Sequence, residues 1–390
     1  MTLRIAVTAE PIPSHVSALD YVISPALEQG HEVVLHAPTM FRHEAGRRGM
    51  GFRPAGTDWT CDPAVQRVAS DIWREAGNGP FNRYVFGRLW PERAEAKARH
   101  LVAAWTRTRP DLVIAECSDP GAHLAARVMR LPLLAADNGL APVLLDLWDT
   151  DVVPGLAALY KRHGQDVPAL PPLLTPTPIP WFYGTQPPAI RGVQRTVAEH
   201  RRALPGNPAR YPSSRPLVYV SLGTVTTALP GLRTIVESAY REITAALRGI
   251  DCDAIVSAGR LAHHLRDAGG PRIKIVEHVP QPALLRHADL FVTHGGRASL
   301  LDAVQASTPV LGMGVLADQP ANVAAFTRRG LGRALELRTT RAEIADAVTA
   351  VLDTPRYTDA VRAAGSELSR LPPLDLNRAL HEVNGAGAAR

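Results

Sequence analysis

The chain has few cysteines, few aromatic residues and no long apolar run. Cys61, Cys117 and Cys252 are the only 3 cysteines in 390 residues, and they form neither a C-x-x-C pair nor a metal-ligand spacing. That excludes a disulfide framework and a cysteine metal centre, and it reads as free thiols in a reducing compartment. No stretch reaches the roughly eighteen uninterrupted apolar residues of a membrane span. The chain opens directly into a strand-like run, LRIAV, with no charged-then-apolar leader. These absences predict a cytoplasmic protein. The first strand is not followed by G-x-G-x-x-G, which disfavours a dinucleotide on the first domain and with it a nicotinamide oxidoreductase. The formal charge is +6, yet no basic run of five or more occurs. Nucleic-acid binding is therefore disfavoured, while an anionic small ligand suits the charge.

What is present is a soluble globular composition, 46% hydrophobic and 21% charged, on a chain long enough for two domains. Strand-like runs alternate with longer helical segments in both halves. They are Arg4–Thr8, Glu32–His36, Asp111–Ala115 and Leu131–Ala135, then Leu217–Ser221, Asp253–Ser257, Lys274–Glu277, Leu290–Thr293 and Val310–Met313. Such alternation predicts α/β architecture with parallel sheets covered by helices. The proline-rich stretch Val167–Pro188 cannot be one helix. A second breaker-rich stretch, PGNPARYPSSRP, places a linker at 205–216 between domains 1–204 and 217–359. Residues 360–390 read as a helical segment, Ala360–Glu382, that folds back onto the first domain, followed by a tail.

Six strand ends carry candidate chemistry, because ligands of such sheets bind beyond the carboxyl ends of the strands. After Arg4–Thr8 comes a loop holding His15 at a helix start, where an imidazole can take a proton from an acceptor hydroxyl. A capping histidine is the plainer alternative. Glu116, directly after Asp111–Ala115, is the better partner for that imidazole, and Asp119, before Pro120, is a second choice. After Leu217–Ser221, Gly223 permits close backbone approach and Thr224 offers a hydroxyl to a phosphate. After the strand Asp289–His294, Gly295 and Gly296 turn the chain sharply into a helix starting near Ala298. The amides of that helix start, with His294 and Ser299, suit a diphosphate, and Arg297 either adds a cation or points to solvent. Val279 and Gln281, in the loop after Lys274–Val276, suit a nucleobase cover or are a proline turn. Asp318 and Gln319, before a helix, suit the vicinal hydroxyls of a sugar, or cap that helix. A diphosphate contact beside hydroxyl contacts indicates a nucleotide sugar.

Two D-x-D triplets, Asp149-Thr150-Asp151 and Asp251-Cys252-Asp253, lie away from the diphosphate turn, and no metal is expected. The aromatic groups Trp59, Trp73, Phe81, Tyr84, Phe86, Trp90 and Trp181, Phe182, Tyr183 line an apolar acceptor pocket or form a satellite core.

The stretch VPQPALLRHADLFVTHGGRAS…ADQPANVAAFTRRGLG resembles the donor signature of family 1 glycosyltransferases, in their bacterial branch that decorates natural products. IAVTAEPIPSHVSAL, PDLVIAEC and VYVSLGT extend the resemblance over most of the chain. It implies a GT-B fold, two Rossmann-like domains with parallel sheets facing across a cleft, with the donor on the C-terminal domain and the acceptor on the first. It implies inverting, metal-independent transfer with no cofactor beyond a nucleoside-diphosphate sugar, dTDP- or UDP-linked, as co-substrate. His15 matches the general base and Glu116 its acidic partner, where Asp is usual. His294, Gly296 and Ser299 match diphosphate contacts, Asp318 and Gln319 sugar contacts, and Val279 and Gln281 the nucleoside loop. Ser14, Thr293 and Ala298 depart from the pattern without removing a group the chemistry needs.

The expected protein is thus a transferase of a (deoxy)sugar to a small apolar, polyketide-like or aromatic acceptor in secondary-metabolite biosynthesis. A nucleotide-sugar epimerase or hydrolase on the same fold is the first rival, and a non-catalytic helper subunit the second. A homodimer is compatible with the sequence but not specified by it.

Overall fold

The structure, a computed structural model, describes residues 1–183, 190–195, 214–223, 226 and 230–388. It consists of two compact units. The first gathers Met1–Val65, Gly79–Ala198 and Arg370–Arg390, and the second Gln66–Asn78 and Glu199–Ser369. Residues 205–213 of the expected linker lie outside the described residues.

The first unit is built on seven strands, β1 (Arg4–Thr8), β2 (Glu32–Ala37), β3 (Gly51–Pro54), β4 (Leu112–Glu116), β5 (Leu133–Ala136), β6 (Leu173–Thr175) and β7 (Ile190–Gly192). All pair in parallel, in the order β3-β2-β1-β4-β5-β6-β7. The central strands read RIAVT and LVIAE and are buried almost throughout, as parallel strands covered on both faces must be. β5 starts two residues later than expected because Pro132 precedes it, whose carbonyl accepts from Val113 N at 2.9 Å but which has no N–H to donate. The order reverses between β1 and β4, so their carboxyl ends flank the ligand-binding crevice of such a sheet.

The second unit repeats this plan with β8 (Leu217–Ser221), β9 (Asp253–Ser257), β10 (Ile273–Val276), β11 (Leu290–Thr293), β12 (Val310–Gly312) and β13 (Gly332–Ala334). Its parallel order is β10-β9-β8-β11-β12-β13, with the reversal between β8 and β11. At that seam Tyr219 stacks on Phe291, ring centres 4.8 Å apart.

The stretch expected as one helical segment is two helices, Pro355–Ser369 and Leu376–Ala388, parted at Leu371-Pro372-Pro373. The second belongs to the first unit. Leu374, Leu376 and Ala379 join its apolar core, and Gln29 Nε2 donates to Leu374 O at 2.7 Å. No helix among the described residues is long and apolar enough to cross a membrane.

Candidate active site

In the first unit, β1 feeds a loop that enters the helix Pro13–Ala18, and a proline at its start pre-sets the helical backbone. His15 sits in that first turn, 7% exposed, and Glu116 closes β4 with no exposed surface. His15 Nδ1 and Glu116 Oε2 are 2.9 Å apart. The other carboxylate oxygen accepts from Glu10 N at 2.9 Å and from Ser118 Oγ at 3.1 Å. The backbone of the His15 loop therefore fixes the carboxylate that fixes His15. With its proton on Nδ1 toward the carboxylate, the ring keeps a lone pair on Nε2. Asn138 Nδ2 lies 3.2 Å from His15 Nδ1 and donates to Ser118 Oγ at 2.9 Å. Sequence reasoning missed Asn138. Its signal is the turn sequence Asp137-Asn138-Gly139 directly after β5.

Asp119 takes a different place from the one expected. It caps the helix Pro120–Val128 by accepting from Ala122 N at 3.0 Å, and it pairs with Lys97 Nζ at 2.6 Å. An aspartate before a proline is a natural helix cap, and that local preference decides its orientation. Lys97, buried, also donates to Ala9 O and Glu10 Oε1, both at 2.8 Å. Trp59 Nε1 donates to Glu10 Oε2 at 3.0 Å. Burial raises the Glu10 carboxyl to about 7 despite Lys97. Burial also pushes the Asp119 carboxyl up, but Lys97 outweighs it and holds Asp119 below the usual range. Lys97 stays charged because Asp119, Glu10 and Glu116 outweigh its burial. On the helix Trp90–Arg107 it is one basic residue among several, so the sequence does not single it out.

In the second unit, β11 runs into the turn His294-Gly295-Gly296 and the helix Arg297–Ala306. The cap residue is Gly296, which carries no side chain to occupy the helix start. The His294 ring lies between two glycines. A Cβ on Gly223 (φ +83°) or on Gly296 would stand 2.6 Å from Nε2. A ring N–H donates to the Ser221 carbonyl, but burial dominates and pulls the imidazole down to about 4, so it is neutral at pH 7. Gly295 (φ +83°) also needs its freedom, since a Cβ there collides with Val323. Gln281 Nε2 donates to Ser299 Oγ at 3.2 Å and to Asp302 Oδ2 at 2.8 Å, which brings the expected nucleoside and phosphate residues together. Val279 is half-buried in the loop leading to the helix Gln281–Leu285. Thr224 lies outside the described residues.

Arg297 does not point to solvent. It is 3% exposed, and its Nε donates to Asn322 Oδ1 at 3.2 Å. Asn322 in turn donates to Gly295 O at 3.2 Å and to Asp318 Oδ2. One residue the sequence did not single out, one helical turn beyond Asp318, thus joins the expected phosphate turn to the expected sugar contact. Gln319 Oε1 accepts from Val315 N at 3.2 Å and Leu316 N at 3.1 Å, which leaves its amide nitrogen as the end suited to a ligand. The same loop is held by Trp73 Nε1, donating to Val315 O at 2.9 Å, and Asn78 Nδ2, donating to Ala317 O at 2.8 Å.

Among the described residues, no group of three or more His, Cys, Asp or Glu is placed to hold a metal. Asp251 of the second D-x-D triplet is taken by Arg215 at 2.7 Å and Arg272 at 2.9 Å. The first unit also contains a narrow pocket walled by Phe86, Trp90, Leu144, Trp148 and Tyr160 among others. Phe86 and Trp90 of the aromatic group thus line this pocket, Trp59 is held on Glu10 and lines a smaller one, and Trp181 and Tyr183 are buried.

The two parallel sheets, each reversing its strand order once, have the GT-B fold of glycosyltransferases. Residues 192–381 match the family described as UDP-glucoronosyl and UDP-glucosyl transferase. A zeaxanthin glucosyltransferase of Pantoea ananas is 24% identical over 89% of this chain and 88% of its own. The solved structure of the spinosyn rhamnosyltransferase SpnG with spinosyn aglycone superposes with a TM-score of 0.78 at 17% identity, over 97% of this chain and 100% of that one. The glycosyltransferase VinC with dTDP superposes with a TM-score of 0.76 at 20% identity, over 100% of both chains.

Proposed function

We propose that this glycosyltransferase moves a sugar, with inversion and without a metal, from a nucleoside diphosphate to a hydroxyl of a small apolar natural product. The carrying observation is the 2.9 Å contact between His15 Nδ1 and Glu116. In this reading His15 Nε2 takes the acceptor proton as the acceptor oxygen bonds to the anomeric carbon and the bond to the diphosphate breaks. Glu116 orients the ring and stabilises its cationic form. The amides of the helix start at Gly296 receive the departing diphosphate, and the neutral His294, its one N–H held by the Ser221 carbonyl, shapes that turn from beneath. Gln281 and Val279 serve the nucleoside, and Asp318 and Gln319 the sugar. A deoxysugar on thymidine diphosphate is favoured, since VinC, similar over its whole length, was solved with dTDP. The apolar walls of the pocket in the first unit support an aromatic or polyketide-like acceptor.

The test is calorimetric titration of the protein with thymidine and uridine diphosphates in EDTA, for wild type and His294→Ala. Micromolar binding of one nucleotide that weakens in the variant supports the donor reading and selects the base. Absence of binding to either sinks it. Mass gain of one sugar on an aromatic acceptor in EDTA, lost in His15→Ala, tests the chemistry itself.

A further inference from the structure

The pocket in the first unit is walled mainly by apolar and aromatic side chains, and the helix Pro120–Val128 brings His123 to its wall, with Ser118 and Tyr160 also lining it. His123 is 6% exposed, and its Nε2 is buried with no hydrogen-bond partner. Its other nitrogen is accounted for, because the ring is hydrogen-bonded to the backbone carbonyl of Glu116. Burial also lowers its pKa, outweighing Asp119 and that carbonyl, so the ring is neutral at pH 7. A neutral imidazole that donates from Nδ1 has a lone pair at Nε2, so the unpartnered atom is an acceptor. Trp90, 4% exposed, lines the same pocket, stacks edge-on against Phe86 and has an unpartnered Nε1–H. It also borders a smaller pocket that holds Glu10 and Lys97. Leaving a buried polar group unpaired is unfavourable, and neither of these two atoms has a partner.

The walls are built to hold a fixed shape. Val85–Leu89 and Trp148–Val152 are single π-helical turns, a rare form that recurs at functional sites. They lie against each other with almost no clearance, since a Cβ on Gly87 would stand 3.1 Å from Cβ of Asp151. A Cβ on Gly155 would collide with the Gly87 carbonyl.

We infer that this pocket is the acceptor-selecting site, and that it takes an apolar ring system carrying a free hydroxyl, which donates to His123 Nε2, with an oxygen that accepts from Trp90 Nε1–H. The hydroxyl bound here is a recognition group, distinct from the one that reacts at His15. This inference rests on the acceptor reading above, and its test needs no sugar transfer.

The probes are 1-naphthol and 1-methoxynaphthalene, titrated into the full chain by calorimetry. Both carry an oxygen that accepts from Trp90, but only naphthol donates to His123. Wild type should bind naphthol about tenfold or more tighter than its ether, the worth of one hydrogen bond at an otherwise unpaired group. His123→Leu should remove that preference and leave ether binding in place. Trp90→Phe should weaken both probes together. Thymidine diphosphate binding should be unchanged in both variants, which separates a failed pocket from a failed donor site. Equal binding of the two probes by wild type, a preference that survives His123→Leu, or no binding of either probe overturns the inference.

Discussion

His15 and Glu116 lie 101 positions apart in sequence and 2.9 Å apart in space, and β1 pairing with β4 is what brings them together. Thr8 stands opposite Ala115, so the loop after one strand and the last residue of the other meet at the same edge. His15→Ala should lower kcat by about 10²–10⁴-fold, the usual worth of a general base, with nucleotide affinity unchanged. Glu116→Gln should lose rate, because an amide cannot balance the charged ring and its NH2 replaces an acceptor at either His15 Nδ1 or Glu10 N. Single-turnover assays with radiolabelled donor measure both. A Glu116→Gln variant at full rate would remove the orienting role.

A second relationship isolates the phosphate turn. Gly296 has φ −59°, which any residue adopts, so an alanine there is not strained by its backbone. The methyl would instead meet His294 Nε2 at 2.6 Å. Gly296→Ala should displace the ring and lower diphosphate affinity by tenfold or more. The fold should lose only the ~1–3 kcal/mol of local overpacking. Calorimetry and thermal unfolding on the same sample separate the two effects, and unchanged affinity would show that the ring position does not matter.

His294 should titrate unusually low. Burial holds it at about 4 against an ordinary 6.5, so the free protein takes up that proton only as pH falls through about 4. At neutral pH the ring donates a hydrogen bond and carries no charge. In the free protein, nitrogen-detected NMR should show a neutral tautomer from pH 8 down to 5. His294→Asn, which can still donate to the Ser221 carbonyl and hold the turn, should retain more affinity than His294→Ala. A ring found protonated at pH 6 without ligand would refute this.

The repeated strand–helix rhythm made the architecture legible, because strands buried on both faces read as unbroken Val, Ile, Leu and Ala. The turn after β11 was legible for a local reason, since two glycines between an apolar strand and a helix have few other uses. Strands β3, β6, β7 and β13 were not legible. They have three or four residues each, at or near sheet edges, and β6 lies inside a proline-rich stretch. Asp119 and Arg297 show the limit of reading side chains by position. Both stand where chemistry was expected, and both are turned inward by partners, Lys97 and Asn322, that only the fold brings near.

Lys97 is the buried charge on which that inward network depends. It joins Ala9, Glu10 and Asp119, and so clamps the His15 loop to the start of the helix Pro120–Val128. Lys97→Met removes the cation and leaves Asp119 as an unpaired buried carboxylate, at a cost of about 3–5 kcal/mol. Glu10, already raised to about 7, should protonate and cushion part of the loss. Stability of the variant should therefore improve as pH falls from 8 toward 6, because the protonated Glu10 no longer adds its charge to that of Asp119. Chemical denaturation at the two pH values measures this. A variant equally stable at both would mean that Glu10 does not respond to the missing cation.

The loop that carries Asp318 and Gln319 is held from outside the donor signature. Ala317 has φ +54°, a conformation that costs a residue with a Cβ roughly 1–2 kcal/mol, so the loop needs external support to keep it. Trp73 and Asn78 supply that support through the carbonyls of Val315 and Ala317. Trp73→Phe and Asn78→Ala leave every group assigned to the nucleotide in place. They should raise KM for the sugar donor or lower kcat by about three- to tenfold, roughly the worth of one hydrogen bond each. Affinity for the bare nucleoside diphosphate should not move, since it has no sugar for the loop to hold. The comparison of sugar donor with bare diphosphate decides the matter. If both ligands weaken together, the two residues support the whole unit rather than the sugar loop, and if neither weakens, the loop keeps its shape without them.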